Sequence, residues 1–217
     1  MLAAIARAQQ PAGGQQQAPA RKMLEQLPTR RLGRTEIEVS YPALGCGVLN
    51  TAGSDADAVK IVHRAIEHGI SYLDTAPLYG VGESERLTGL ALSGGFREKV
   101  TLATKCGDPM PDYVKGRKPY SRQGLLNSVE HSLKLLNTKK IDILLIHDPY
   151  VDELQQAMAP GGMMEAMREL QQQGIVKHLG MAVRENEPLM LSIQDESDWC
   201  DVVQIVRQRA ESAALRY

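Results

Sequence analysis

PALGCGVLN, residues 42 to 50, reads as a short apolar strand running into a glycine turn, and the spacing of its glycines decides between two folds. A doubly wound sheet that holds a dinucleotide opens with GxGxxG directly after its first strand, so that backbone can approach the pyrophosphate. Here Gly45 and Gly47 are followed by Asn50 where the third glycine would stand. The fingerprint is absent. The rest of the chain must therefore be weighed as a barrel, which needs no such turn.

From Arg30 onward, short apolar runs alternate with longer amphipathic ones, the pattern of a parallel α/β fold. RRLGRTEIEVS, residues 30 to 40, predicts a hairpin with Leu32, Ile37 and Val39 on one side. Strand one is then expected at 42 to 48. Helix one comes next at 55 to 69, with Val59, Val62 and Ile66 at helical spacing, Asp55 as cap and Gly69 as stop. SYLDTA (71 to 76) and VTLATK (100 to 105) predict strands two and three, with a helix over SERLTGLALSGG (84 to 95) between them. Ser121 is the expected cap of the clearest helix, whose stripe is Leu125, Leu126, Val129, Leu133 and Leu136.

IDILLIH (141 to 147) reads as a fully buried strand. A helix over 162 to 174 comes after it, its Met163, Met167 and Leu170 serving a core stripe. VKHLGMAV (176 to 183), a weaker helix over 186 to 197, and DVVQIV (201 to 206) complete the series. Six strands and about five helices, in cycles of roughly thirty to forty residues, predict a (β/α)8 barrel of the TIM type with about six βα units present. It would form one incomplete barrel domain over 30 to 217.

The chain has 217 residues, 43% of them hydrophobic, and a formal net charge of -1, a composition suited to one packed core. That charge gives no reason to expect nucleic acid or an anionic membrane surface. No segment reaches the roughly 18 uninterrupted apolar residues of a spanning helix. Cys46, Cys106 and Cys200 are far apart and odd in number, so they read as reduced thiols, which fits a cytoplasmic setting. Residues 1 to 29 carry Gln, Pro and no steady periodicity, as a disordered leader would. Ala6-Arg7-Ala8 could alternatively be the remnant of an export signal if the start lies upstream.

Side chains two apart on a strand share a face. The inward sets are then Tyr72 and Asp74, Thr101, Ala103 and Lys105, Ile143, Leu145 and His147, and Val202 and Gln204. Each set is largely apolar until its last member, which is polar and falls at the strand's C-terminal end, where barrels keep their active sites. Tyr79 lies five residues beyond Asp74 in a Pro/Gly-broken turn. A buried lysine calls for a carboxylate beside it, and Asp74 is the candidate. A phenol titrates near pH 10, and an adjacent ammonium favours its anion, so this set reads as a tyrosine tuned for general acid/base work. His147 could donate to a carbonyl oxygen on which negative charge builds.

His63, His68, His131 and His178 read as packing or surface residues, and Asp148 with Pro149 as a turn. Cys106 reads as a packed thiol, though its place beside Lys105 would also suit a redox-sensitive one. Tyr113 and Tyr120, in the insertion over 106 to 121, are candidate pocket walls or exposed loop aromatics.

GISYLDTAPLYGVGESERLTGLAL (69 to 92), VTLATKCG (100 to 107), SRQGLLNSVEHSLKLLNTKKIDILLIHDP (121 to 149) and GIVKHLGMAV (174 to 183) resemble the successive signatures of the aldo/keto reductases. The resemblance implies a (β/α)8 barrel and NADPH-dependent reduction of a small aldehyde or ketone. It assigns Tyr79 as proton donor, Lys105 and Asp74 as its tuning pair, His147 as substrate orienter, and Gln204 as holder of the nicotinamide carboxamide, with Asp74 also on the cofactor side.

Three departures qualify it. Ala182-Val183 stands where the family often has Ser-Asn, and Arg207-Gln208 where it usually has Tyr-Asn. The phosphate-binding strands seven and eight have no counterpart, so a truncated reductase with little NADPH binding of its own is expected. Two other readings use the same scaffold: a non-catalytic nucleotide-sensing or regulatory protein, or a non-functional gene fragment.

Overall fold

The structure is a computed structural model and describes residues 27–108, 120–184 and 198–205. A hairpin of β1 (Thr29–Arg31) and β2 (Glu38–Ser40) comes first, antiparallel as expected. It leads into β3 (Leu44–Gly45), α1 (Asp55–Glu67), β4 (Tyr72–Asp74), α2 (Glu83–Leu92), β5 (Thr101–Cys106), α3 (Arg122–Leu135), β6 (Ile141–His147), α4 (Val151–Met158), α5 (Met163–Gln172), β7 (Val176–Val183) and β8 (Val202–Ile205). The leader and the weak helix over 186 to 197 lie outside the described residues.

The sheet order separates the two candidate folds. A doubly wound sheet reverses its strand order at the ligand crevice. Here β3 to β8 are all parallel and lie side by side in chain order. That is the winding of an incomplete (β/α)8 barrel.

One face of this sheet carries Tyr72, Ala103, Ile143, Leu145, Ala182 and Val202 as a buried cluster, which Val39, Leu32 and Ile37 of the hairpin join. Tyr72, Ala103, Ile143, Leu145 and Val202 are inward positions expected from alternation, and the hairpin plugs the end where the strands begin. The hairpin is tied across that end: Arg34 N donates to Asp201 O (2.9 Å), and Glu36 pairs with Lys177 and with His178, which also bonds Asp201. Register then fixes the rows. Lys105, Leu145, Gly180 and Val202 align, and His147, Ala182 and Gln204 form the row above. A Cβ on Gly180 would sit 2.1 Å from Val202 O, so β7 and β8 close together only because that position has no side chain.

Two larger clusters fill the space between sheet and helices. Leu125, Val129 and Leu136 of the expected α3 stripe are buried, and Ser121 caps that helix by accepting from Gly124 N. Two expectations are corrected. Ser54, not Asp55, caps α1, because its hydroxyl accepts from Asp57 N while Asp55 already stands inside the first turn. Helix α4 was not foreseen; it is short and buries only Leu154 and Ala157, too few apolar positions to show a period.

Inside the helix layer lies an acid with no role in apolar packing. Glu85 is buried, its Oε1 accepting from Thr104 Oγ1 at 2.6 Å. Burial pushes its carboxyl up to about 7. A carboxyl that holds its proton longer in the folded chain contributes fully below about pH 4.5 and loses that contribution as pH rises towards 7. We predict that wild type loses on the order of 3 kcal/mol relative to Glu85→Gln over that window. Urea melts of both chains at either end of it check this; a difference that does not change with pH would speak against it.

Candidate active site

β4 and β5 bring the first two groups together because their register pairs Asp74 with Ala103, leaving Lys105 one pleat higher on the same face. Lys105 Nζ donates to Asp74 Oδ1 at 2.7 Å and to the carbonyl of Thr75 at 2.9 Å, and its side chain is 1% exposed. An ammonium has three donors, so one remains. Above it lies Tyr79, whose ring centroid is 4.8 Å from Nζ. Tyr79 is held by a turn in which its N–H donates to Ala76 O and Gly82 N–H to Pro77 O, and its ring rests against Gly47.

His147, the last residue of β6, meets the Tyr79 ring edge-on at 5.8 Å between centroids. Its Nδ1 lies 2.7 Å from Asp108 Oδ2, with both side chains buried. Asp108 was missed in the sequence because it stands just past the strand end, inside what reads as a loop insertion. The signal was Gly107, whose φ of +91° turns the chain back over the rim.

Tyr79, Lys105, His147 and Gln204 line one cavity of about 110 Å³, with Ala182, Val183 and Arg184 as further walls. All five residues singled out from the sequence are thus at one rim, Asp74 beneath it. Gln204 Oε1 and Asp74 Oδ2 are buried and have no hydrogen-bond partner among the described residues. The remaining candidates fall elsewhere. Tyr120 is neither pocket wall nor exposed: it is 1% exposed, packed among the helices under Gly107, its hydroxyl near Glu153. His63 bonds Ala91 O and stacks on Phe96. Asp148 turns the chain at φ +48°, its N–H donating to Ala182 O and its carboxylate holding Arg184. Burial pushes the Cys106 thiol well above its ordinary range, which does not suit a reactive thiol. Tyr113, Arg207 and Gln208 lie outside the described residues.

A sequence profile of the aldo/keto reductase family matches residues 43–205, most of the chain. The chain belongs to the aldo/keto reductase family. It is 34% identical over 159 residues to the uncharacterized oxidoreductase YqkF of Bacillus subtilis (strain 168), covering 70% of this chain and 48% of that protein. It is 28% identical over 181 residues to D-threo-aldose 1-dehydrogenase of Pseudomonas sp, covering 72% and 54%. Among solved structures, the holo form of aldo-keto reductase AKR11C1 from Bacillus halodurans superposes with a TM-score of 0.69 at 29% identity, covering 83% of this chain and 58% of that one. The chain spans about half the length of the curated relatives it matches.

Within this reductase barrel, Ala182 and Val183 make an apolar wall at the position where the resemblance implies a hydrogen-bonding pair in other members. Among the described residues no group of three or more His, Cys, Asp and Glu side chains is placed to hold a metal ion, and no helix is long and apolar enough to cross a membrane.

Gly107 places Asp108, and a Cβ there would come within 3.2 Å of the Tyr120 ring in a left-handed backbone. Gly107→Ala should cost about 1–3 kcal/mol in a denaturant melt. A melt superimposable on wild type would show that the turn is not strained.

Proposed function

We propose that this chain carries the proton-transfer rim of a reductase that converts a small aldehyde or ketone to an alcohol with NADPH. The observation that supports this most is the buried ion pair beneath Tyr79: a lysine 1% exposed, fixed by Asp74 and Thr75 O, its Nζ 4.8 Å from the centroid of the Tyr79 ring. When bound, the nicotinamide supplies the hydride to the carbonyl carbon. Tyr79 gives its hydroxyl proton to the carbonyl oxygen, and the adjacent ammonium stabilises the phenolate left behind. Asp74 keeps that ammonium charged and in place. His147 turns a ring edge to the same cavity and orients the oxygen.

The residues present suit the nicotinamide. Gln204 Oε1 is a buried acceptor without a donor among the described residues, and a carboxamide N–H would satisfy it; Asp74 Oδ2 is a second such acceptor. Ala182 and Val183 offer no further side-chain hydrogen bonds, so nucleotide binding should be weak and turnover best measured at high NADPH.

Tyr79→Phe should fold as wild type does and lower the carbonyl-dependent oxidation of NADPH by about 10²-fold or more, the usual share of a positioned acid. An assay over a panel of small aldehydes and ketones measures it. A phenylalanine variant that turns over at the wild-type rate removes Tyr79 from the mechanism.

A further inference from the structure

We propose that Asp108 is a positioning residue that makes His147 donate to the substrate oxygen as an imidazolium, not as a neutral ring. This rests on the carbonyl-reduction reading of the same site. Asp108 Oδ2 and His147 Nδ1 are 2.7 Å apart, and the two side chains are 6% and 8% exposed. An ionised carboxylate can only accept, so the proton of this contact is on Nδ1. A neutral imidazole has a single N–H. With it committed to Asp108, Nε2 presents a lone pair, which repels a carbonyl oxygen. Nε2 becomes a donor only when the ring takes a second proton, and Asp108 is the counter-charge for that state.

The surroundings agree. The charged or titratable groups that share the cavity with His147 are Lys105 from β5, Tyr79 from the turn after β4, Asp148 after β6 and Arg184 after β7. Lys105 is paired with Asp74, and Arg184 with Asp148 at 3.2 Å. Tyr79 meets the ring edge-on. Asp108 is the acid in direct hydrogen-bond contact with it. Gly107 sets this contact through its left-handed backbone, while the opposite side of the turn is closed by Tyr120. The pairing thus gives the site two proton-bearing groups on one oxygen, the Tyr79 hydroxyl that is transferred and an imidazolium N–H that is only shared.

An asparagine at 108 removes the bias: its amide offers an oxygen that accepts from Nδ1–H and an N–H that donates to a bare Nδ1, so the neutral ring is no longer held to one tautomer.

The test is the protonation pattern of the His147 ring in the full chain labelled with nitrogen-15, read by long-range proton–nitrogen correlation from about pH 6 to about pH 9, across the range where imidazoles change charge. His147→Gln assigns the signals. The expected result is a neutral ring protonated at Nδ1 in wild type, with that preference lost in Asp108→Asn. Asp108→Ala, which offers neither donor nor acceptor, should also lose the Nδ1 preference, and it serves if the asparagine variant does not fold. A wild-type neutral ring protonated at Nε2 overturns the proposal. The ring signals need no turnover, so a reductase reading that fails on Tyr79→Phe leaves this result separately decided.

Discussion

An ammonium ion taken out of water costs several kcal/mol unless a carboxylate and further hydrogen bonds replace its hydration, and Lys105 is 1% exposed. Its partners are available only because of how the sheet is wound. β4 stops at Asp74, so the carboxylate stands at the strand end and the next carbonyl, Thr75 O, is free to turn towards Nζ. Thr75 is itself held: its N–H donates to Ala103 O, and its hydroxyl meets Ser84 Oγ, which donates to Cys46 O. One buried charge therefore ties β3, β4, β5 and α2 into a single arrangement. Tyr79 sits on top of that arrangement, its ring centroid 4.8 Å from Lys105 Nζ.

Most of this arrangement is legible in the sequence. Strand alternation picks out Tyr72, Ala103, Ile143, Leu145 and Val202 as one face, and they are the buried face of the sheet. The same parity carries Asp74, Lys105, His147 and Gln204 to the rim, since a period of two is insensitive to errors of a residue at strand ends. What failed depended on contacts across the fold. Asp108 stands two residues past a strand end and becomes part of the site only through the backbone of Gly107. Tyr120 looked like a rim aromatic, but its burial is decided by α4 and α5, and α4 gives no periodic signal. Ser54 was passed over for Asp55 because both residue types cap helices, and only the hydrogen bond to Asp57 N separates them.

The cavity wall explains why the family's chemistry and this chain's affinity for a nucleotide are separate questions. Lys105, Asp74 and Tyr79 depend on β4 and β5, which are paired within the sheet on both sides. The other side of the cavity is made by the ends of β7 and β8, where Gln204 is polar but Ala182 and Val183 are not. Arg184 closes that wall with a charge that is already engaged by Asp148.

The central claim, that one buried ion pair organises both sheet and site, is measured most directly by a double-mutant cycle on Asp74 and Lys105. Asp74→Asn leaves the ammonium without its carboxylate and should cost about 3–5 kcal/mol of unfolding free energy, and Lys105→Met should likewise be destabilising by leaving Asp74 unpaired. Asp74→Asn combined with Lys105→Met should recover much of the loss, because neither charge is then buried alone. Strictly additive losses across the cycle would contradict the account.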